Sequence, residues 1–367
     1  MGSPILMPKV PRAAQHSRGL PGPIDRQRKR LYASLPGLRS MSTAEFAEFR
    51  AGDDPYRVSP AHRLILARRG ALLIYATAFV TAALTWGVPL QTQLVIAWTC
   101  GALACASIGR PRREIVQLAL DWAPLAAILS VYDLSRGVVD SLGIGVHYAE
   151  MANIDRWLFG GTVPTEWLQR QLLDLNATHW WDTVFTAVYS SHFIAWLALA
   201  GLLWNRSRDA FLGFTKRLVT LGFIGLATYV AFPAAPPWLA AREGTVDDVV
   251  RSSARGWEAL DLGTAQLFER GQAVVNQTAA VPSLHAAFAA LIAMFLWPRV
   301  RVGWRPLLVA YPLAMGFVLV TTGEHYVFDI LLGWVYAGGV MTGWTWWERR
   351  DAPNVSPQAR ATPSHPA

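Results

Sequence analysis

Two short segments in the C-terminal third of the chain carry histidines at spacings that could support chemistry. Residues 281–285 read Val-Pro-Ser-Leu-His, and residues 323–329 read Gly-Glu-His-Tyr-Val-Phe-Asp. In the second segment His325 and Asp329 are four residues apart, a spacing that places two side chains on one helix face within hydrogen-bonding reach. In the first segment Pro282 is suited to the first turn of a helix. We therefore predict that each segment opens a helix.

These residue types are suited to phosphoryl transfer through a covalent intermediate. A neutral imidazole can attack phosphorus when a carboxylate holds its other ring nitrogen, because the carboxylate fixes the tautomer and stabilises the cation. We predict that His325 is this nucleophile and that Asp329 is the orienting carboxylate. His285 can then protonate the leaving alkoxide and later deprotonate the acceptor. We expect the Ser283 hydroxyl and the N–H groups at the two helix N-termini to bind the phosphate.

The predicted mechanism needs no metal ion or other cofactor. Beyond the pair formed by His325 and Asp329, the histidines and acidic residues show no spacing typical of metal ligands. We expect no cofactor, and we expect activity to persist in the presence of a chelator. Glu324, which precedes the nucleophile, could tune the site or cap the helix.

The elements that position these residues are expected to be membrane-spanning helices. Of the 367 residues, 53% are hydrophobic and 16% are charged, which is too apolar for an ordinary soluble domain. About eight stretches approach the length of roughly 17 to 25 apolar residues that crosses a bilayer. The sequence predicts an all-α integral membrane protein with spans at 70–88, 90–108, 115–135, 180–204, 217–233, 283–297, 305–322 and 327–347.

The two ends of the chain differ in composition from this apolar region. Residues 1–62 are basic, contain Pro and Gly and show little periodic hydrophobicity, and residues 351–367 are rich in Pro, Ser and Ala. Both compositions are typical of disordered tails. We therefore expect a transmembrane catalytic domain over residues 63–350 between two cytoplasmic tails.

The basic residues predict the orientation in the membrane, because short cytoplasmic loops carry an excess of Lys and Arg. With both termini inside, His285, His325 and Asp329 share the extracytoplasmic end of their helices. We predict a multi-pass protein of the cell membrane with its active site outside. The short loops predicted to be cytoplasmic carry Arg110, Arg112 and Arg113, then Arg206, Arg208, Lys216 and Arg217, and then Arg299, Arg301 and Arg305.

The two long segments predicted to lie outside, 136–179 and 234–281, also contain helical patterns. Residues 154–159 and 165–175 carry apolar residues at helical spacing with charges between them, as in amphipathic interfacial helices. Such extracytoplasmic helices could cover a lipid-facing pocket or form a simple surface, and the pattern favours neither.

The net charge of +8 could also indicate nucleic-acid binding, with the basic tract at residues 26–30 as its best candidate. Basic residues beside membrane spans are better explained by the cytoplasmic side and its anionic head groups. We expect membrane lipids as partners, as donor and as one candidate acceptor, and no nucleic acid. The pattern leaves the oligomeric state undefined.

The two histidine segments resemble the type 2 phosphatidic acid phosphatase (PAP2) superfamily. Its members carry a Pro-Ser-x-His motif followed by a His-x-x-x-Asp motif, and residues 282–285 and 325–329 match both. The resemblance spans roughly residues 130–347 and implies a PAP2-type helical core, with His285 as general acid. Within the superfamily the chain is most similar to the inositol phosphorylceramide synthase branch, through the pair His325-Tyr326, residues 232–238 (Phe-Pro-Ala-Ala-Pro-Pro-Trp) and residues 189–193 (Tyr-Ser-Ser-His-Phe).

The match departs from the family pattern at the residues that bind phosphate. Typical phosphatase members carry a Ser-Arg pair shortly before the nucleophilic histidine, whereas this chain has Val318 and Leu319 there. A different cation must therefore bind the phosphate. Arg136, at the outer end of the third span, is the best candidate, with Arg242 second. His192, within the fourth span, would line the acceptor cavity or bond a neighbouring helix.

Three functions remain open. The first is a membrane phosphotransferase that moves a phosphorylated head group, for example phosphoinositol, from a lipid donor to a hydroxyl acceptor through a phosphohistidine intermediate. The second is a PAP2-type lipid phosphate phosphatase, with water as the acceptor. The missing basic residues favour the transferase, because a phosphate monoester carries more charge than a diester. The third is a non-catalytic lipid transporter, which would predict charges deep within the spans and inverted repeats. The sequence shows neither feature.

Overall fold

The computed structural model describes residues 59–86, 92–259 and 276–351. Within these ranges the chain is helical and forms no β-strand. In chain order the described helices are α1 (Pro60–Trp86), α2 (Thr92–Ser107), α3 (Arg112–Leu142), α4 (Glu150–Leu158), α5 (Pro164–Leu172), α6 (Trp180–Arg206), α7 (Arg208–Ala231), α8 (Pro237–Arg242), α9 (Arg255–Ala259), α10 (Leu284–Leu296), α11 (Arg305–Thr321) and α12 (Val327–Asp351).

Eight of the described helices overlap the predicted spans, although α1 begins at Pro60, ten residues before the predicted start at 70. Six of them, α1, α3, α6, α7, α11 and α12, are long and apolar enough to cross a membrane, while α2 and α10 are shorter apolar helices. The prediction of an all-α, multi-pass membrane protein is confirmed. Nearly all of the predicted tails, 1–62 and 351–367, lie outside the described residues.

Helix α7 starts earlier than the sequence predicted. The predicted span began at Arg217, directly after Lys216, whereas the helix begins at Arg208. The charges of Lys216 and Arg217 are tolerated within the helix because both pair with Glu348 of α12, at N–O distances of 2.6 and 2.7 Å. The helix begins instead after its N-cap Ser207, whose hydroxyl accepts from the N–H of Ala210 at 3.3 Å.

Helix α10 lies at the centre of the packing and contacts α6, α7, α11 and α12. Most of its residues are buried, and many of them are alanines, which let neighbouring helices approach closely. Gly333 of α12 faces the start of α10, where an added Cβ would lie only 2.5 Å from the carbonyl oxygen of Ser283. The Ser283 N–H donates to the carbonyl oxygen of Asp329 at 3.0 Å. These contacts fix the beginnings of α10 and α12 against each other.

Helices α4 and α5 correspond to the two predicted amphipathic patterns, with α5 ending at Leu172, before the predicted 175. Their polar side chains Asp155, Glu166 and Gln169 are buried against the protein, whereas Trp157 and Trp167 are exposed. Helix α4 packs on α12, and α5 packs on α11. An outward-facing apolar surface beside the spans is the arrangement expected of helices that lie in a membrane interface.

Candidate active site

His325 and Asp329 meet at the start of α12. Asp329 lies in the first turn of the helix, and its Oδ2 atom is 3.5 Å from Nδ1 of His325. Both side chains are buried. The predicted pairing is present, although His325 lies just before Val327, the first helical residue, and not on the helix itself. Because Nδ1 faces the carboxylate, Nε2 is the nitrogen placed to act as a nucleophile.

His285, in the first turn of α10, lies beside His325, with ring centroids 5.7 Å apart. Its ring is 4.0 Å from the ring of His192 on α6 and stacks at 5.1 Å on Tyr189. Nε2 of His285 and Nδ1 of His192 are buried and have no hydrogen-bond partner within the described part of the chain. The structure therefore gathers three histidines, and each has a buried ring nitrogen without a hydrogen-bond partner among the described residues. For His325 this atom is Nδ1, which lies 3.5 Å from Asp329.

The backbone N–H groups at the start of α12 are occupied by carboxylates. Asp155 of α4 accepts from Val327 at 2.9 Å and from Phe328 at 3.0 Å, and Asp329 accepts from Tyr326 at 2.9 Å. From the sequence, these N–H groups were expected to bind the phosphate. Since protein carboxylates already satisfy them, other groups must bind the substrate at this end of α12.

Asp155 is fully buried, and the sequence analysis did not select it. Burial raises the pKa of its carboxyl to about 6, the two backbone hydrogen bonds oppose this change, and the negative charge of Asp329 adds to it. The two hydrogen bonds of Asp155 link α4 to the first turn of α12, the turn that carries Asp329. The sequence feature that could have identified Asp155 is its position as a charged residue within the amphipathic pattern at 154–159.

Ser283 is the N-cap residue of α10. Its Oγ accepts from the N–H of Ala286 at 3.3 Å, and the side chain is buried. Ser283 is not among the described residues that line the cavity discussed below. A contact between its hydroxyl and the phosphate stays a prediction.

Arg251, in the segment between α8 and α9, lines the same cavity as the three histidines. It forms a two-point ion pair with Glu324, with Nε 2.9 Å from Oε1 and Nη2 3.1 Å from Oε2. The Arg136 side chain lies outside the described residues, and Arg242 is exposed, with its guanidinium 4.9 Å from the ring centre of Trp238. Of the two arginines whose side chains the structure describes here, Arg251 lines the cavity and Arg242 does not.

A cavity of about 590 Å³ connects these residues. Its lining includes Arg251, Glu324 and the three histidines. One or more turns further along α6, α7 and α10, and on α3, the lining is largely apolar and includes Ile128, Leu129, Trp196, Leu218, Leu226 and Phe288. A reactive polar centre joined to an apolar chamber is suited to a substrate with a charged head and a hydrocarbon body.

Among the residues that the structure describes, no group of three or more His, Cys, Asp or Glu side chains is arranged to hold a metal ion. The independence of the reaction from metal stays a prediction.

Comparison with known proteins gives two matches. Residues 149–342, more than half of the chain, match the family described as the PAP2 superfamily. Phosphoinositol dihydroceramide synthase from Bacteroides thetaiotaomicron is 26% identical over 254 residues, which cover 65% of this chain and 79% of that protein. No solved structure gives a significant match. The region matched by the family contains all three clustered histidines and Asp329.

Proposed function

Because the chain belongs to the PAP2 superfamily and is an enzyme acting on lipid phosphates, we propose that it transfers a phosphorylated head group from a membrane lipid to a lipid hydroxyl. The donor would be a glycerophospholipid such as phosphatidylinositol, and the acceptor a long-chain alcohol of the dihydroceramide type. The name of the Bacteroides relative supports this choice of substrates. The observation that carries the proposal is the extension of the cavity beyond the histidines into an apolar chamber. A chamber of this kind can hold the hydrocarbon chains of a lipid acceptor as well as those of the donor, and the transfer assay below decides between a lipid and water as the acceptor.

The reaction would proceed in two displacement steps. Nε2 of His325 attacks phosphorus, the P–N bond forms, and the bond from phosphorus to the diacylglycerol oxygen breaks. His285 donates a proton to the departing oxygen, and Asp329 holds Nδ1–H of the phosphorylated imidazole. The acceptor hydroxyl then gives its proton back to His285 and attacks phosphorus, which breaks the P–N bond. The unpartnered nitrogens of His192 and His285 support binding of a hydroxyl there.

The test is a transfer assay with the purified enzyme in lipid nanodiscs. Phosphatidylinositol and dihydroceramide should yield phosphoinositol dihydroceramide and diacylglycerol in equal amounts, and His325→Ala should abolish both products. A matched control is His179→Ala, because His179 lies at the start of α6 and is not among the described cavity residues. Release of inositol phosphate from phosphatidylinositol, or of inorganic phosphate from phosphatidic acid, at the same rate with and without dihydroceramide would identify a hydrolase instead.

We also propose that the site faces away from the cytoplasm in the cell membrane. The basic residues in the short loops at the opposite ends of these helices support this orientation, since such loops are retained on the cytoplasmic side.

A further inference from the structure

The ion pair of Arg251 and Glu324 lies inside the cavity, beside the nucleophile. Glu324 directly precedes His325, and both members of the pair line the cavity together with His285. The Glu324 side chain is 7% exposed and that of Arg251 21% exposed, so bulk water screens the pair little. The Ser253 hydroxyl donates a further hydrogen bond to Glu324. The carboxylate is therefore held in one position.

Arg251 is the only Lys or Arg among the described residues that line the cavity. Burial disfavours its charge, but the negative charge of Glu324 outweighs this effect and raises the pKa of Arg251. The guanidinium also lies 5.1 Å from the ring centre of Trp238, a distance that permits a cation–π contact. Arg251 therefore keeps its positive charge. The neighbouring Glu324 carboxylate offsets most of the positive electrostatic potential that Arg251 would otherwise produce in the cavity.

The charge balance of the site follows from these contacts. Arg251 and Glu324 sum to zero, and Asp329 adds a negative charge behind His325. A phosphodiester carries one negative charge, whereas a phosphate monoester carries up to two at neutral pH, because its second pKa is about 6. The single charge of a diester can pair with the protonated His285 that serves as the general acid. The second negative charge of a monoester would then meet no further cation in the described cavity lining that is not already paired with a carboxylate.

We propose that Glu324, by pairing with Arg251, makes the site select phosphodiester lipids over phosphate monoester lipids. This inference rests on the proposed function and adds its specificity determinant. A different explanation is that the pair only anchors the segment between α8 and α9 to the start of α12. The two explanations predict different results when the negative charge is removed, because an anchor does not distinguish one donor from another.

The experiment compares two donors with identical acyl chains, phosphatidylinositol as the diester and phosphatidic acid as the monoester. With both donors the bond to the diacylglycerol oxygen breaks as the P–N bond to His325 forms, so diacylglycerol is the common product. Glu324→Gln should raise the ratio of kcat/KM for phosphatidic acid to that for phosphatidylinositol by about tenfold or more. That change is expected for one unit charge roughly 10 Å away at an effective dielectric constant of about 20.

Three variants separate charge from geometry. Arg251→Gln leaves the carboxylate uncompensated and should lower the ratio, and it supplies the same test if Glu324→Gln does not fold. The double variant Arg251→Gln/Glu324→Gln restores neutrality and should return the ratio towards the wild-type value. Glu166→Gln is the matched control, because Glu166 is a nearly buried carboxylate near Arg156 and Arg170 that is not among the cavity residues.

Equal losses on both donors in Glu324→Gln, with an unchanged ratio, would overturn the inference and indicate an anchor. Failure of the proposed function gives a separate result, because the wild-type enzyme would then form no phosphoinositol dihydroceramide whatever the variants do. A higher ratio in Glu324→Gln that the double variant reverses would support the inference.

Discussion

Replacement of Asp155 by Asn tests whether a buried carboxylate outside the cavity positions the nucleophile. Asp155 binds the N–H groups of Val327 and Phe328, and it is not among the described residues that line the cavity. An amide oxygen can accept from one of these N–H groups, whereas the amide NH2 would face the other donor. The first turn of α12, which carries Asp329, should therefore shift. Misplacement of catalytic groups by about 1 Å can cost on the order of a hundredfold.

The expected kinetic result is a fall in kcat of about tenfold to a hundredfold with little change in KM, because Asp155 does not contact the cavity. The assay is diacylglycerol release from phosphatidylinositol in nanodiscs. Asp155→Glu keeps the charge but moves the carboxylate, so it should recover only part of the activity. If the function of Asp155 were purely electrostatic, this variant should recover all of it. A wild-type kcat in Asp155→Asn would refute the positioning argument.

The pH dependence of stability provides an independent measurement on the same variant. The pKa of Asp155 is raised from 3.8 to about 6 in the folded protein. The folded state therefore binds this proton more tightly than the unfolded state, and the stability that it contributes is lost as pH rises through about 6. A difference of about two pKa units corresponds to about 3 kcal/mol. Between pH 4 and pH 8 the free energy of unfolding of the wild type should fall by about this amount relative to Asp155→Asn. Parallel pH curves in mixed-micelle unfolding would show that the carboxyl is not buried as described.

Three further outcomes are expected. His285→Ala should slow diacylglycerol release by about a hundredfold or more, but it should slow a nitrophenyl phosphodiester far less, because nitrophenolate leaves without a proton. Gly333→Ala should destabilise the protein by about 1–3 kcal/mol through overpacking against α10, whereas Gly338→Ala, with open space at its Cβ, should not; equal melting temperatures would contradict the close approach. In a background without native cysteines, Asn176→Cys should react with an impermeant thiol reagent on intact cells and Val302→Cys should not. Both positions are exposed, and the reverse result would place the site on the cytoplasmic side.

The sequence predicted those features that depend on local patterns. Hydropathy located all eight apolar helices, because each one needs a continuous run of apolar residues. The contact between His325 and Asp329 followed from a spacing of four residues. Arg251 was not selected because its partner is 73 residues away and no periodic pattern marks such a contact. The sequence also left open whether Glu324 caps the helix, and the structure places its carboxylate on Arg251 and Ser253 instead.

The carboxylates around the start of α12 explain why, under the proposed function, the cation that faces the phosphate would come from a distant segment. Asp155 and Asp329 accept from N–H groups that would otherwise attract an anion, so these N–H groups are not available to a phosphate. The buried Asp329 carboxylate beside His325 also increases the electrostatic cost of any further negative charge. Arg251 can offset the single charge of a phosphodiester, but Glu324 limits how much positive charge it presents. The preference for a diester substrate would then arise from the same acidic residues that hold His325 in place.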